Sequence, residues 1–318
     1  MNATYDLSLH ARAVHSALGS ARTFLFVPGD RPERHARALD SGAGGVIVDL
    51  EDAVAPERRA QARAGLAASF AALPTEARSR LLVRVNACDT PWHAEDRAAV
   101  AALASRGWIA GVVLPKAERA ADLAALAAAI GTGCALLPLV ESVAGLDAVD
   151  ALAAAPQVLR LVFGHLDFQV DAGLACGPEE AELVPVRLAL VLASRRAGLA
   201  PPVDGIATEW RDTTRLAAES LRARRGGFGA KLCIHPAQVP HVQAAFAPSA
   251  AELDWARRVC DAVQAAGGGV VNVDGRMVDA PVLKQAQRLL APAHGSDSGS
   301  DNNETTPNPV PTTTIRRH

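Results

Sequence analysis

The run "GVIVDLEDAV" (45–54) sets the reading of the whole chain. Val46, Ile47, Val48 and Leu50 read as a buried strand, yet Asp49, Glu51 and Asp52 crowd its end. Further short apolar runs share its character. They are "TFLFVPG" (23–29), "RLLVRVN" (80–86), "IAGVVLPK" (109–116), "CALLPLVES" (134–142), "VLRLVFGHLD" (158–167), "PVDGIATEW" (202–210) and "AKLCIHP" (230–236). Between them lie Ala/Leu/Arg segments with helical spacing, such as "PERRAQARAGLAASFAAL" and "RAADLAALAAAIG". Near-continuous apolar strands separated by helices mark parallel strands covered on both faces. Eight such units in about 220 residues predict a closed (β/α)8 barrel, the TIM barrel of α/β proteins. An open doubly wound sheet is the rival. A G-x-G-x-x-G loop after the first strand would favour it, and none is present.

The chain continues past the eighth strand. "SAAELDWARRVCDAVQAA" (249–266) predicts an amphipathic helix with Leu253, Ala256, Val259, Cys260 and Val263 on one face. "GGGVVNVDGRMVDAPVLKQAQRLLA" (267–291) predicts a hairpin turning at Asp274-Gly275, then a helix. The expected organisation is an N-terminal segment (1–20), a catalytic barrel (21–248) and a small helical and hairpin appendage (249–292). That appendage would cover a barrel mouth or dock on a neighbouring subunit. The remaining tail (293–318) is polar, Pro-rich and without periodicity, which predicts disorder.

The 318 residues are 49% hydrophobic with a formal net charge of −2. That allows a sizeable core and gives no electrostatic reason to expect nucleic acid or an anionic membrane as partner. No apolar run approaches the roughly 20 residues of a membrane span. The start, "MNATYDLSLHARAVHSALGS", lacks an apolar signal core, so a cytoplasmic location is expected. Cys88, Cys134, Cys176, Cys233 and Cys260 form no C-x-x-C pair, which argues against a zinc knuckle or a disulfide scaffold. Lysine occurs only at Lys116, Lys231 and Lys284, leaving few groups for amine chemistry.

In such a barrel the C-terminal strand ends and the loops after them form the active face. Those positions carry Glu51 and Asp52, Arg84 and Asn86, Lys116, Glu141, Asp167, Glu209 and His235. One charge after a strand is usually a solvated loop residue. Recurrence from the second strand to the sixth marks a polar cavity instead. Glu141 is the sole charge of "LLPLVES", and Asp167 has the same character in "LVFGHLDF". Two carboxylates on adjacent strands suit a hard divalent cation, and Mg2+ takes one or two protein carboxylates with water and substrate oxygens. Zinc is disfavoured because His93, His165 and His235 have no ligand spacing, and His165 reads as a loop residue. Arg84 has apolar neighbours on both sides, which leaves a structural ion pair or an anion binder. Its planar fork suits an α-keto acid or a developing oxyanion. In "VPGDRPERHARAL" (27–39), Pro32 marks a helix start, and Arg31 and Arg34 suit a phosphate-bearing ligand such as coenzyme A. A solvated first turn is the plainer reading of both arginines.

Several longer stretches occur together in one order. They are "RTFLFVPGDRPERHARAL", "GGVIVDLEDAVAPERRAQAR", "VRVNACDTPWHAEDRAAV", "GVVLPKAE", "LLPLVESVAGL", "LVFGHLDFQVDAGL", "GGFGAKLCIHPAQV" and "VDGRMVDAPVLKQAQRLL". Through them the chain resembles the HpcH/HpaI aldolase and citrate lyase β-subunit family, in particular its citrate-lyase-β-like, CoA-ester lyase branch. The resemblance implies a TIM barrel in homotrimers and Mg2+ on Glu141 and Asp167. It implies Arg84 on the keto acid or acyl carbonyl. Asp279 of "GRMVDAP" would reach a neighbouring subunit's site as the base, and Glu51 and Asp52 would orient metal-bound waters or Arg84. The implied reaction cleaves a 3-hydroxyacyl-CoA, of citramalyl-CoA or malyl-CoA type, to an α-keto acid and an acyl-CoA. Relatives within the same resemblance are a citryl-thioester lyase working with an acyl carrier, and a malyl-CoA thioesterase or malate-synthase-like enzyme. His165-Leu166 stand where small or acidic residues are usual, His35 where a lysine is frequent, and Trp210 is a candidate specificity residue. Three other classes compete: a Schiff-base aldolase on Lys116 or Lys231, an NAD-dependent oxidoreductase, and a non-catalytic subunit.

Overall fold

The computed structural model describes residues 9–291. The tail expected to be disordered (293–318) and the first residues of the N-terminal segment lie outside them. Eight parallel strands close in chain order into a barrel, with β1 pairing back onto β8. They are β1 (Thr23–Pro28), β2 (Gly45–Asp49), β3 (Leu81–Arg84), β4 (Gly111–Leu114), β5 (Ala135–Val140), β6 (Val162–Phe163), β7 (Val203–Asp204) and β8 (Ala230–Cys233). Helix α1 (Leu9–Ser20) precedes the barrel. The crossovers carry α2 (His35–Asp40), α3 (Arg59–Ala71), α4 (His93–Ser105), α5 (Ala120–Ile130), α6 (Val143–Asp147), α7 (Val149–Ala153), α8 (His165–Asp171), α9 (Val184–Arg196) and α10 (Thr213–Arg225). After β8 come α11 (Gln238–Phe246), α12 (Ala250–Ala265), a hairpin of β9 (Val271–Val273) and β10 (Arg276–Val278), and α13 (Ala280–Leu290).

Strand alternation explains the unbroken apolar runs. Phe24, Ile47, Leu82, Val113, Leu137 and Leu232 join one buried cluster contributed by alternate strand positions, the barrel interior. The residues between them, such as Val46, Val48 and Val83, pack with Leu66, Phe70 and Val100 of the helices. Both faces are therefore dry, and a period of two is hidden inside a continuous apolar run. Helix α1 belongs to the interior as well: Val14 and Leu18 join the inner cluster. Buried Arg160 holds it there, its Nη1 donating to Leu18 O at 3.1 Å and Ala21 O at 2.6 Å and its Nε to Pro201 O at 2.7 Å. The barrel is stoppered at its N-terminal end.

Two sequence expectations are corrected. Strands β6 and β7 are short, so Asp167 sits in the first turn of α8 and Glu209 in the loop before α10, not at strand ends. For Asp167 the reason lies at Gly164. A Cβ there would lie 2.5 Å from Glu141 Cβ, so the chain turns early against the glutamate, and glycine is what permits it.

The C-terminal segment has its own core. Ala256, Val259, Val263, Val273, Val278 and Ala286 cluster apart from the barrel. Ser249 and Glu252 form a capping box that starts α12. The hairpin turns at Asp274 (φ 52°) and Gly275 (φ 77°), both left-handed, as a two-residue type I′ turn requires. Arg224 of α10 donates to Glu252 at 2.8 Å and ties the appendage to the barrel. No helix among the described residues is long and apolar enough to cross a membrane.

Candidate active site

The inward face of β2 runs Gly45, Ile47, Asp49, and the chain beyond it turns Glu51 back under cover, so two carboxylates end an apolar strand inside the barrel mouth. Asp49 is fully buried and Glu51 is buried. On β3 the same alternation carries Leu82 to Arg84. Asp49 receives Arg84 Nε and Nη2, each at 2.6 Å, as a bidentate pair. Its oxygens also accept from the N–H of Glu51 at 3.0 Å and of Ala53 at 2.9 Å. Arg84 Nη1 lies 3.0 Å from Glu51 Oε2, though without good hydrogen-bond alignment, and donates to Asp52 at 3.3 Å. The guanidinium also sits 4.7 Å over the Phe26 ring. Burial works against its charge, and Asp49, then Glu51 and Asp52, outweigh it and raise its pKa further. Asp49 as Arg84's main partner was not singled out from the sequence; the period of two from Gly45 was the available signal.

Glu141 follows β5 and is buried. Lys116 takes a left-handed backbone (φ 46°) that turns its N–H onto Glu141 Oε1 at 2.8 Å. Asp167 faces the same space from α8. A cavity of about 320 Å3 is lined on this side by Asp49, Asp52, Arg84, Glu141 and Asp167. On the opposite arc, Phe26 of β1, Ile206 after β7, and Leu232 and Ile234 of β8 and its loop make an apolar wall.

Burial pushes Glu141 up to about 7; the Lys116 N–H opposes this, and the negative charge of Asp167 adds to it. Burial likewise pushes Glu51 up to about 8, with Arg84 opposing and Asp52 and Glu141 adding. The mouth thus holds more carboxylate than its one guanidinium neutralises. That excess, made of hard oxygens around a solvated cavity, fits a divalent cation held by Glu141 and Asp167 with water or ligand oxygens in the remaining positions. No group of three or more His, Cys, Asp or Glu able to hold a metal occurs among the described residues, so a closed zinc-type cage is not built here.

Both glutamates keep their proton in the fold at pH values where the unfolded chain has lost it. From the ordinary glutamate value of 4.5 up to about 7 and 8, the native state therefore binds more protons. Metal-free stability falls as pH rises through that window, by on the order of a few kcal/mol. Urea unfolding with a chelator should give a lower midpoint near pH 8.5 than near pH 5.5, and Glu51→Gln should flatten the slope. An unchanged slope in Glu51→Gln would refute the assignment of that window to Glu51.

The other predicted positions divide. Arg31 and Arg34 are exposed at the turn Pro32–Arg34 before α2, and neither lines the cavity. His35 is fully buried, with Nδ1 2.7 Å from Ser69 Oγ and its ring edge-on to Phe70, so it packs in the core. Asn86 is structural, its amide bonded to Leu50 O and Asp96. Asp279 lies on the appendage, where its carboxylate caps α13 by accepting from Val282 N at 3.3 Å, and it is outside the cavity lining. His165 is not a loop residue. It opens α8, is buried, and fits because Gly205 has no Cβ to strike its ring. Its Nε2 lies 3.4 Å from Glu180, which leads into a buried network: Arg187 bridges Glu180 and Asp204, and Lys231 Nζ lies 3.2 Å from Asp204 and 3.7 Å from Glu219. Lys231 is thus committed behind the barrel wall. Neither Lys231 nor Lys116 lines the cavity, so the cavity gives the Schiff-base reading no support.

Comparison with known proteins agrees with this architecture. Residues 22–236 match the family described as HpcH/HpaI aldolase/citrate lyase. A (3S)-malyl-CoA thioesterase of Cereibacter sphaeroides is 34% identical over 275 residues, covering 86% of this chain and 94% of the relative. A citrate lyase subunit beta-like protein of Deinococcus radiodurans is 33% identical over 279 residues, covering 85% and 96%. Among solved structures, CitE from Mycobacterium tuberculosis in complex with magnesium, acetoacetate and coenzyme A superposes with a TM-score of 0.74 at 34% identity, covering 86% of this chain and 98% of that one.

Proposed function

The chain belongs to the HpcH/HpaI aldolase/citrate lyase family, and from that premise we propose that it is a Mg2+-dependent carbon–carbon lyase acting on a CoA thioester. It cleaves a 3-hydroxyacyl-CoA of malyl-CoA or citramalyl-CoA type into an α-keto acid and an acyl-CoA. The observation that carries this reading is the crowding of Glu141 and Asp167 around one cavity beside a pinned Arg84.

Glu141 and Asp167 would hold Mg2+, which would supply Lewis-acid polarisation of the substrate's hydroxyl and carboxylate. Arg84 balances negative charge as it moves from the hydroxyl oxygen to the thioester enolate, and Asp49 keeps the fork from turning. Glu51 and Asp52 lie against the Nη1 side of Arg84, and Asp52, which lines the cavity, would orient water there. A base takes the hydroxyl proton, the C–C bond breaks, and its electron pair becomes the thioester enolate, which is reprotonated to the acyl-CoA. Asp279 of a second copy is the base that the family resemblance implies; within one chain it caps α13 and lies outside the cavity lining. Arg31 and Arg34, exposed at the first loop, are assigned to the CoA phosphates.

The trimer of this proposal would draw on exposed apolar surface. Val184, Leu188 and Leu192 recur every four residues on α9 and are 46 to 53% exposed. Val170 on the neighbouring α8 is 84% exposed. An exposed apolar stripe such as the one on α9 marks a protein contact.

The test is incubation with malyl-CoA, citramalyl-CoA and citryl-CoA, following keto acid and free CoA separately. Keto acid should appear, and a chelator should stop it. Free CoA without keto acid would identify a thioesterase, the activity named in the Cereibacter relative. Mixing Asp279→Ala chains with Glu141→Ala chains should restore part of the activity; no recovery would place the base elsewhere.

A further inference from the structure

The substrate's hydroxyl-bearing carbon has four substituents. On the proposed reading, its hydroxyl and carboxylate turn toward Glu141, Asp167 and Arg84, and its thioester arm leaves through the mouth. The fourth substituent therefore meets the opposite arc, Phe26, Ile206, Leu232 and Ile234. These residues come from β1, β7 and β8, which are contiguous in the closed barrel. Among the described residues lining the cavity, Arg84 is the sole Arg or Lys, and it is already committed to Asp49, Glu51 and Asp52.

The arc is also fixed in place. Gln238, fully buried, accepts from Ile234 N at 2.8 Å and from His235 N at 3.2 Å, and donates to Ala207 O at 2.8 Å. One side chain thus clamps the loops after β7 and β8 beside Ile206 and Ile234. Above it the Trp210 and His235 rings stack, 4.0 Å apart and 20° from parallel, with Arg211 4.2 Å over the indole. Trp210 is engaged by both groups and does not line the cavity, which leaves substrate contact to the isoleucines.

We infer that this arc selects substrates whose hydroxyl-bearing carbon carries an apolar alkyl group, so that the keto acid released is a short 2-oxoalkanoate and not a 2-oxodicarboxylate. The inference rests on the lyase reading for the orientation of the substrate. An alkyl group gains by displacing water from the arc. A second carboxylate would meet no Arg or Lys there; His165 also lines the cavity, but its Nε2 faces Glu180 at 3.4 Å, and a neutral ring protonated on that side leaves Nδ1, beside Gly205, an acceptor that repels a carboxylate. Ile206 and Ile234 are the specificity-determining residues.

Calorimetric titration of the protein in excess Mg2+ with glyoxylate, pyruvate, 2-oxobutanoate and oxaloacetate tests the ordering. Pyruvate should bind about fourfold tighter than glyoxylate, and 2-oxobutanoate tighter again. Oxaloacetate should bind at least about tenfold more weakly than pyruvate. Ile234→Arg, at a partly exposed position that tolerates a longer side chain, should place oxaloacetate above pyruvate. Equal or tighter binding of oxaloacetate by the wild-type protein, or an unchanged order in Ile234→Arg, overturns the inference. Keto-acid binding in the expected order with no thioester cleaved by the same preparation would instead strike the lyase reading and leave the selectivity standing.

Discussion

Glu141→Gln is expected to lower kcat/KM by about three orders of magnitude or more, because several kcal/mol of charge stabilisation depart with the cation. The substitution is isosteric. The amide oxygen still accepts from Lys116 N–H, so the loop after β4 keeps its shape. What disappears is one of the two anionic ligands assigned to the cation, and Mg2+ affinity should fall by at least about 100-fold. The stability of the metal-free protein should move the other way. Burial pushes Glu141 up to about 7, so its ionised form is a liability in the fold at higher pH. A neutral amide removes that liability, and the variant should unfold at equal or higher urea near pH 8 when chelator is present. A residue kept for packing would lose stability and activity together. Turnover within tenfold of wild type in Glu141→Gln would remove it from the metal site.

Asp49→Asn should be nearly as damaging, for a different reason. The Asp49 carboxylate accepts four hydrogen bonds: two from Arg84 and one each from Glu51 N and Ala53 N. Asparagine offers one oxygen and turns an NH2 toward a guanidinium or a backbone donor. Breaking one side of a buried pair costs about 3–5 kcal/mol. Turnover should also fall by about 100-fold or more, because the Arg84 fork is no longer held against Asp49. Arg84→Lys separates charge from geometry. It keeps the cation, loses the bidentate pairing, and should resemble Asp49→Asn in turnover. If Asp49→Asn loses stability but turns over substrate normally, Asp49 only staples β2 to β3.

Much of this was legible in the chain because a closed parallel barrel writes itself plainly. "GVIVDLE" is continuous and apolar since Val46 and Val48 face helices while Ile47 faces the interior. Glu141 stood out since no other charge shares its strand. What stayed hidden depends on contacts between distant segments. Asp49 looked like one more strand-end acid until Arg84, 35 residues on, closed on it. His165 looked like a loop residue because the space it fills is made by Gly205, just after β7. Lys231 kept a chemical reading until Asp204 and Glu219 were found around its amine. The short β6 could not be read from "VLRLVFGHLD" alone, since the turn at Gly164 is set by the Glu141 side chain packed against it.

The stopper at the N-terminal end has a kinetic meaning. With α1 and Arg160 sealing one pole, the described residues leave traffic into the barrel one doorway, at the other pole. On the lyase reading the small keto acid lies deepest and the bulky CoA fragment corks it in. Departure then follows a queue, thioester first and keto acid last, and in product-inhibition studies the keto acid competes directly with the incoming hydroxyacyl-CoA.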